Sequence, residues 1–425
     1  MRPKLDISRL RQFLTIPLYA NAIYLMANVS IMSLLGFFFW IVVARFYSEA
    51  DVGYSSAIIS VIGFLTLLSS LGLNTSLVRF LPQTEKPEAL INSCFTLGSL
   101  FILVVAGIFL AGLGFWSPAL GFIRESAIFA LAFIVFAILW MLSSLIGATF
   151  IAKRRAGFVL SQDFIFSLVK IPLPILFVLF FHSFGVVASW GIALGIAIAV
   201  SLLLFLPKVQ SSYKPLPTLD LNLIKGIWRY SGSNYLANLL LASPALILPV
   251  MVVNLLGPES NAYFYVAWMM TNLLIAIPRA MSSSLFAEGS HSEGKLSEHA
   301  LKSVKFTFLL LVPAVIMLIL AGKWLLLAFG PSYSVNGLRL LWILSLSSLP
   351  LGITYIYASI LRVEGRLKEL IAIWGFIAVT VMVTSYLVMP SSGIIGIGYA
   401  WLGAHGISAI YCVLALRLWI AHHPA

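Results

Sequence analysis

Lys170 is the residue whose place in this 425-residue chain most demands a chemical reason. It lies in an apolar run at about 158–181, and the 11 residues from Ile171 to Phe181 are too few to span a bilayer before the turn at His182–Gly185. The run must therefore begin upstream and hold the ammonium near mid-depth. Asp163, seven residues earlier, falls two turns away on the same helical face. A cation inside an apolar span costs about 2.5–3.5 kcal/mol on insertion scales, so it faces a partner or a cavity. Two readings stay open: Lys170 is neutralised by Asp163 or by another helix, or it lines a polar cavity that receives a diphosphate or a sugar. Arg279 sits about two turns from the end of its run and either snorkels to the surface or faces such a cavity. Arg45 and Arg79 end their runs, on opposite sides, where basic residues act as anchors. Asn28 and Asn238 occupy equivalent places in the first and seventh runs, where an amide either bonds a neighbouring helix or faces a ligand. His405 is the one histidine of six inside a run. It is either a packed neutral imidazole or an acceptor for a coupling proton.

No other constellation points to catalysis. The chain has no GxxxxGK[ST], GxSxG, HExxH or DxD sequence, and Glu364 and Glu369 sit in a basic loop where solvated carboxylates are expected. Its two cysteines, Cys94 and Cys412, fall inside apolar runs and form neither a disulfide framework nor a metal-ligand spacing. The residues thus call for no enzyme, metal or cofactor.

The elements that must hold these side chains are membrane helices. The chain is 61% hydrophobic and 9% charged, with a mean hydropathy of +1.04, which excludes a soluble domain. Twelve runs are long enough to cross a bilayer, at about 21–44, 52–80, 90–113, 126–151, 158–181, 184–206, 230–255, 261–286, 303–321, 337–361, 370–389 and 394–418. Twenty of the 26 Lys and Arg fall on one side of this zigzag and four on the other, with Lys170 and Arg279 inside spans. The positive-inside bias then predicts a multi-pass protein of the cell (plasma or inner) membrane with both termini cytoplasmic. It also accounts for the net charge of +12 through contact with anionic lipid, without nucleic acid. The basic start, Met1 to Arg11, has no short apolar stretch with a cleavage site after it and reads as a cytoplasmic tail.

Residues 207–229, rich in Pro, Lys and Ser, read as a cytoplasmic linker between two six-helix lobes, 1–206 and 230–425. The lobes repeat. A shift of 210 places Ala27-Asn28 on Ala237-Asn238, Glu49 on Glu259 and Glu88 on Glu298, and a shift of 208 places Arg154 on Arg362. Six spans per lobe keep both lobes in one orientation, so the predicted repeat axis is a pseudo-two-fold along the membrane normal, with the ligand between the lobes. Proline is uneven between them: Pro244 and Pro249 in the seventh run have no counterpart in the first, and make that helix a candidate hinge.

The order of residues in 21–82 carries a resemblance. Asn28 in the first run, Ala44-Arg45 at its close, Glu49-Ala50-Asp51-Val52-Gly53 at the turn, then Gly72-Leu73 and Arg79-Phe80-Leu81-Pro82, resemble the opening hairpin of polysaccharide flippases. These are the O-antigen (Wzx-type) branch of the multidrug/oligosaccharidyl-lipid/polysaccharide (MOP) exporter superfamily. Ile277-Pro278 followed by Ser284-Leu285-Phe286-Ala287-Glu288-Gly289-Ser290 fits the same family. The resemblance implies an all-α, MATE-like fold and export of a polyprenyl-diphosphate-linked oligosaccharide to the outer leaflet by alternating access, for surface polysaccharide biosynthesis. It further implies basic residues lining the cavity, which bears on Arg45 and Arg79; coupling to H+ or Na+; and glycan assembly proteins as partners. Two alternatives remain: a small-molecule or multidrug antiporter of the same superfamily, and, from another class, a membrane-embedded glycan polymerase or ligase. The antiporter would need carboxylates in the lobes, and Asp163 is the one within a span. The polymerase or ligase would usually carry a large outer loop with Arg and His, and none is present.

Overall fold

The computed structural model describes residues 17–179, 182–211, 213–291 and 296–422; the basic tail from Arg2 to Arg11 and Lys295 lie outside them. Among the described residues there is no strand, and twelve helices are long and apolar enough to cross a membrane. The protein is a multi-pass membrane protein.

The helices follow the apolar runs with three departures. The second run, expected as one helix over 52–80, is two: α1 (Pro17–Phe46) is followed by α2 (Glu49–Ser70) and then the short α3 (Leu73–Phe80). The break falls at Leu71 and Gly72, whose φ values are 47° and 79°. Glycine takes this left-handed conformation without a Cβ penalty and so ends α2. The fifth run is also broken. After α4 (Pro87–Ala111) and α5 (Ala127–Ala152), helix α6 covers Ala156–Lys170 and stops, and one short turn, α7 (Leu173–Phe177), follows. Pro172 and Pro174 lack the N–H groups that would continue the ladder. The third departure is the linker. Past α8 (His182–Val200) the chain winds through a π-helical stretch, Ser201–Phe205, and segment 213–220 is then tied to α4. Asn92 Nδ2 donates to the Lys214 carbonyl at 2.9 Å and the Asp220 amide donates to Ser93 Oγ at 2.9 Å. Tyr213 is buried there, and burial pushes its phenol up to about 12, so it stays neutral. Helix α9 (Leu221–Leu256) begins inside the expected linker and runs through Pro244 and Pro249.

The remaining long helices are α10 (Pro258–His291), α11 (Leu296–Leu327), α12 (Pro331–Val363), α13 (Leu367–Ser392) and α14 (Ile394–His422). The chain forms two compact units. The first comprises residues 1–42, 65–116 and 121–232; the second comprises 43–64, 117–120 and 233–425.

In the first unit α5 is the central helix, packed by α3, α4, α6 and α8. Its buried stripe Phe133, Ala137, Met141, Leu145 recurs every four residues, the period that keeps side chains on one helical face. Lipid removes most hydrophobic drive between helices, so close packing and polar contacts hold them. Phe129 stacks on Phe184 at 4.0 Å between centroids and Trp140 lies 4.1 Å from Trp190, joining α5 to α8.

In the second unit α12 is central, against α10, α11 and α14. Three of its hydroxyls bond its own backbone: Ser345, Ser347 and Ser348 each donate to a carbonyl three or four residues back at 2.6 Å. The tip of the first hairpin belongs to this unit. Asn261 Nδ2 donates to the Gly53 carbonyl at 2.7 Å and to Ser56 Oγ at 3.0 Å. A Cβ at Gly53 would lie 1.8 Å from the Pro258 carbonyl oxygen, so the backbones meet there only because residue 53 has no side chain.

Candidate functional site

Helices α1 and α6 run parallel in register in the first unit, because three polar contacts share one offset of 135 residues. Asn21 Oδ1 accepts from the Ala156 amide at 2.7 Å, Asn28 Nδ2 donates to Asp163 Oδ2 at 2.7 Å, and Ser167 Oγ donates to Met32 Sδ at 3.2 Å. Asn28 therefore meets Asp163 directly, and the other amide oxygen, Asn28 Oδ1, is buried without a partner. Asp163 and Asn28 are the sequence-selected pair that the fold brings together.

Asp163 also lines a pocket of about 590 Å³ walled by α3, α5 and α6. Its polar groups are Asn74, Thr75, Ser143, Ser144, Gln162 and Asp163, and Trp140 adds an indole surface. They are held by cross-helix bonds. Asn74 Nδ2 donates to Ser144 Oγ at 2.8 Å, and Gln162 Nε2 donates to Ser143 Oγ at 2.7 Å. Gln162 Oε1 accepts from Ser201 Oγ at 3.1 Å in the π-helical stretch. Asn74 Oδ1 is buried with no partner. Sequence reasoning missed every member of this pocket but Asp163. The available signals were the adjacent polar pairs Asn74-Thr75, Ser143-Ser144 and Gln162-Asp163 inside or beside apolar runs.

Lys170 does not line that pocket. It is the last residue of α6 and is buried, 7% exposed. Its ammonium lies 4.3 Å from the Phe166 ring centroid and 5.0 Å from that of Phe39. Two physical effects hold a charge there: the negative quadrupole face of each ring, and the carbonyl end of the helix that Pro172 interrupts.

The other predicted residues are placed separately. Arg45, in the second unit, caps α11: Nε donates to the Ala328 carbonyl at 2.8 Å and Nη2 to that of Leu327 at 3.0 Å. Arg79 ends α3 at the surface with its guanidinium 5.7 Å from the Phe80 ring. Arg279 and Asn238 are exposed on α10 and α9. His405 is 1% exposed in α14, with its ring 5.0 Å from Trp401 and both nitrogens lacking hydrogen-bond partners.

A family model described as "Polysaccharide biosynthesis protein" matches residues 42–336, more than two thirds of the chain. Among curated proteins none matches. Three solved structures are similar in fold. An inward-facing multidrug resistance MATE family transporter of the MOP superfamily has a TM-score of 0.70 at 15% identity, covering 95% of this chain and 98% of its own. The lipid II flippase MurJ, in an inward closed conformation, has a TM-score of 0.74 at 14% identity, covering 92% and 87%. A MOP superfamily transporter from Pyrococcus furiosus Vc1 has a TM-score of 0.64 at 16% identity, covering 96% and 97%. The twelve-helix fold is thus that of MATE transporters and MurJ, as the opening hairpin implied, and by its family match the chain belongs to the polysaccharide biosynthesis proteins.

Proposed function

We propose that this protein flips a polyprenyl-diphosphate-linked oligosaccharide from the cytoplasmic to the outer leaflet of the cell membrane by alternating access. The family match supports the saccharide, and the solved fold neighbour that is a lipid II flippase supports the mode of transport. The single structural observation behind the reading is Lys170, a cation held inside a membrane span by two aromatic rings. A diphosphate crossing a low-dielectric region needs a cation nearby, since an unpaired buried anion is prohibitively costly. Arg279 is a second cation within a span, and its planar fork suits bidentate phosphate contact. Coupling to H+ or Na+ is assigned to Asp163, which reaches a pocket, ahead of the sealed His405. Both termini are placed in the cytoplasm by the charge bias. A reporter fused within 207–229 should therefore read cytoplasmic, and one at Gly257-Pro258 external.

The test is transport of the lipid-linked oligosaccharide in proteoliposomes. Lys170→Gln and Arg279→Gln should each abolish flipping while expression and insertion persist, and Arg279→Lys should recover part of it. Full transport by the double Gln variant would refute both cations as carriers of the diphosphate.

A second reading, a small-molecule antiporter of the same superfamily, is favoured by one observation: a carboxylate, Asp163, at a pocket wall. Ion-driven efflux of a cationic dye by the same liposomes, lost in Asp163→Asn, would establish it.

A further inference from the structure

We infer that the pocket walled by α3, α5 and α6 is a recognition subsite for an uncharged sugar ring; this rests on the flippase reading and specifies where the glycan is read. The pocket's volume of about 590 Å³ lies within the range of about 300–1,000 Å³ common to small-ligand sites. Its polar lining offers both kinds of partner. The hydroxyls of Thr75, Ser143 and Ser144 carry O–H groups, while the amides bond within the wall, Asn74 Nδ2 to Ser144 and Gln162 Nε2 to Ser143. Among the acceptors, Asn74 Oδ1 is buried and unpartnered. Asp163 adds a second carboxylate oxygen beyond the Oδ2 that Asn28 engages. A buried acceptor without a donor is costly, so the site calls for a ligand that brings O–H or N–H groups. A pyranose brings several hydroxyls and an apolar ring face, and Trp140 supplies surface for that face.

The same acceptors decide what is excluded. A diphosphate or an acidic sugar brings anionic oxygens against the Asp163 carboxylate, a like-charge repulsion that a neutral sugar avoids. The pocket therefore does not take the phosphates, which are left to the cations, and it selects neutral sugars over uronic acids.

The experiment uses the full-length protein in nanodiscs, with neutral methyl hexosides, N-acetylglucosamine and glucuronate as probes. Binding is read by saturation-transfer NMR, and sodium is titrated separately. At least one neutral sugar should bind saturably, glucuronate at least about ten-fold more weakly, and Asn74→Leu should weaken the neutral sugar by about ten-fold or more. Trp140→Phe should retain most binding and Trp140→Ala lose it. Because Asn74→Leu also removes a cross-helix bond, thermal unfolding is read on the same variant, which separates a loss of fold from a loss of binding. Equal binding of glucuronate, or binding unaffected by Asn74→Leu and Trp140→Ala, would overturn the subsite. So would a response to sodium with none to any sugar, which would make the pocket an ion site. Flipping that proceeds in proteoliposomes while no sugar binds here would reject the subsite and leave the flippase reading intact. Sugar binding without flipping would do the reverse.

Discussion

Lys170 in the first unit and His405 in the second are both buried titratable side chains in membrane helices, 7% and 1% exposed. Their surroundings differ in kind. Lys170 closes a helix broken by proline, has two ring faces against its ammonium, and shares α6 with a carboxylate two turns back. His405 sits in the unbroken α14 beside Trp401, with no partner for either nitrogen. The serines repeat the contrast. In the first unit, Ser143 and Ser144 accept from side chains of other helices around a pocket. In the second, Ser345, Ser347 and Ser348 turn back on α12 itself. Polar residues in a membrane helix are thus functional suspects only when the fold turns them across a gap between helices. Those that bond their own backbone are packing residues that happen to be polar.

Substitution can break this contrast, and the largest effect is expected at Lys170. Lys170→Gln should bring flipping to background, a loss of at least about 100-fold, without loss of the inserted protein, whereas His405→Phe should leave both flipping and its pH profile unchanged. A His405 variant that loses its pH dependence would move the coupling group to the second unit. Next in size is Gly53→Leu. The side chain has no space against Pro258, so folded yield should collapse or thermal stability fall by about 3 kcal/mol or more, read by unfolding in detergent. Unaltered stability would mean the hairpin tip does not pack closely on α10.

Arg45→Ala should cost about 1 kcal/mol, since it removes a cation from the carbonyl end of α11 at an exposed position. Transport should fall no more than folded protein does, in contrast to Lys170→Gln; a larger transport loss would give Arg45 a role beyond capping. The smallest effect is expected at Ser347→Ala, within about 0.5 kcal/mol, because only a bond to its own helix is lost. Ser144→Ala, which strands Asn74 Nδ2, should cost more than Ser347→Ala by thermal shift. Equal costs would erase the distinction between the two kinds of serine.

Much of the fold was legible in the residues. Apolar runs of sufficient length can only be helices in a bilayer, because every backbone N–H must be satisfied within its own segment. The number of spans follows from that, whereas the breaks at Gly72 and Pro172, though carried in the covalent chemistry of those residues, fall inside runs read as single spans. Arg45 was legible as an end-of-span residue but not as the cap of α11, which is 283 positions away in sequence.

The order of residues sets what costs energy: a lysine and an aspartate in apolar spans must find something, whatever the fold. What each finds depends on how the helices pack. Asp163 meets Asn28 because α1 and α6 align in parallel at one offset, and Lys170 meets Phe39 because α1 continues past it. The pocket depends on the same long-range placement. Asn74-Thr75, Ser143-Ser144 and Gln162-Asp163 come from three runs, each polar pair unremarkable in isolation. Periodicity fixes which face of one helix a side chain takes. Which helix lies opposite is set by packing between segments far apart in the chain, and no local pattern encodes it.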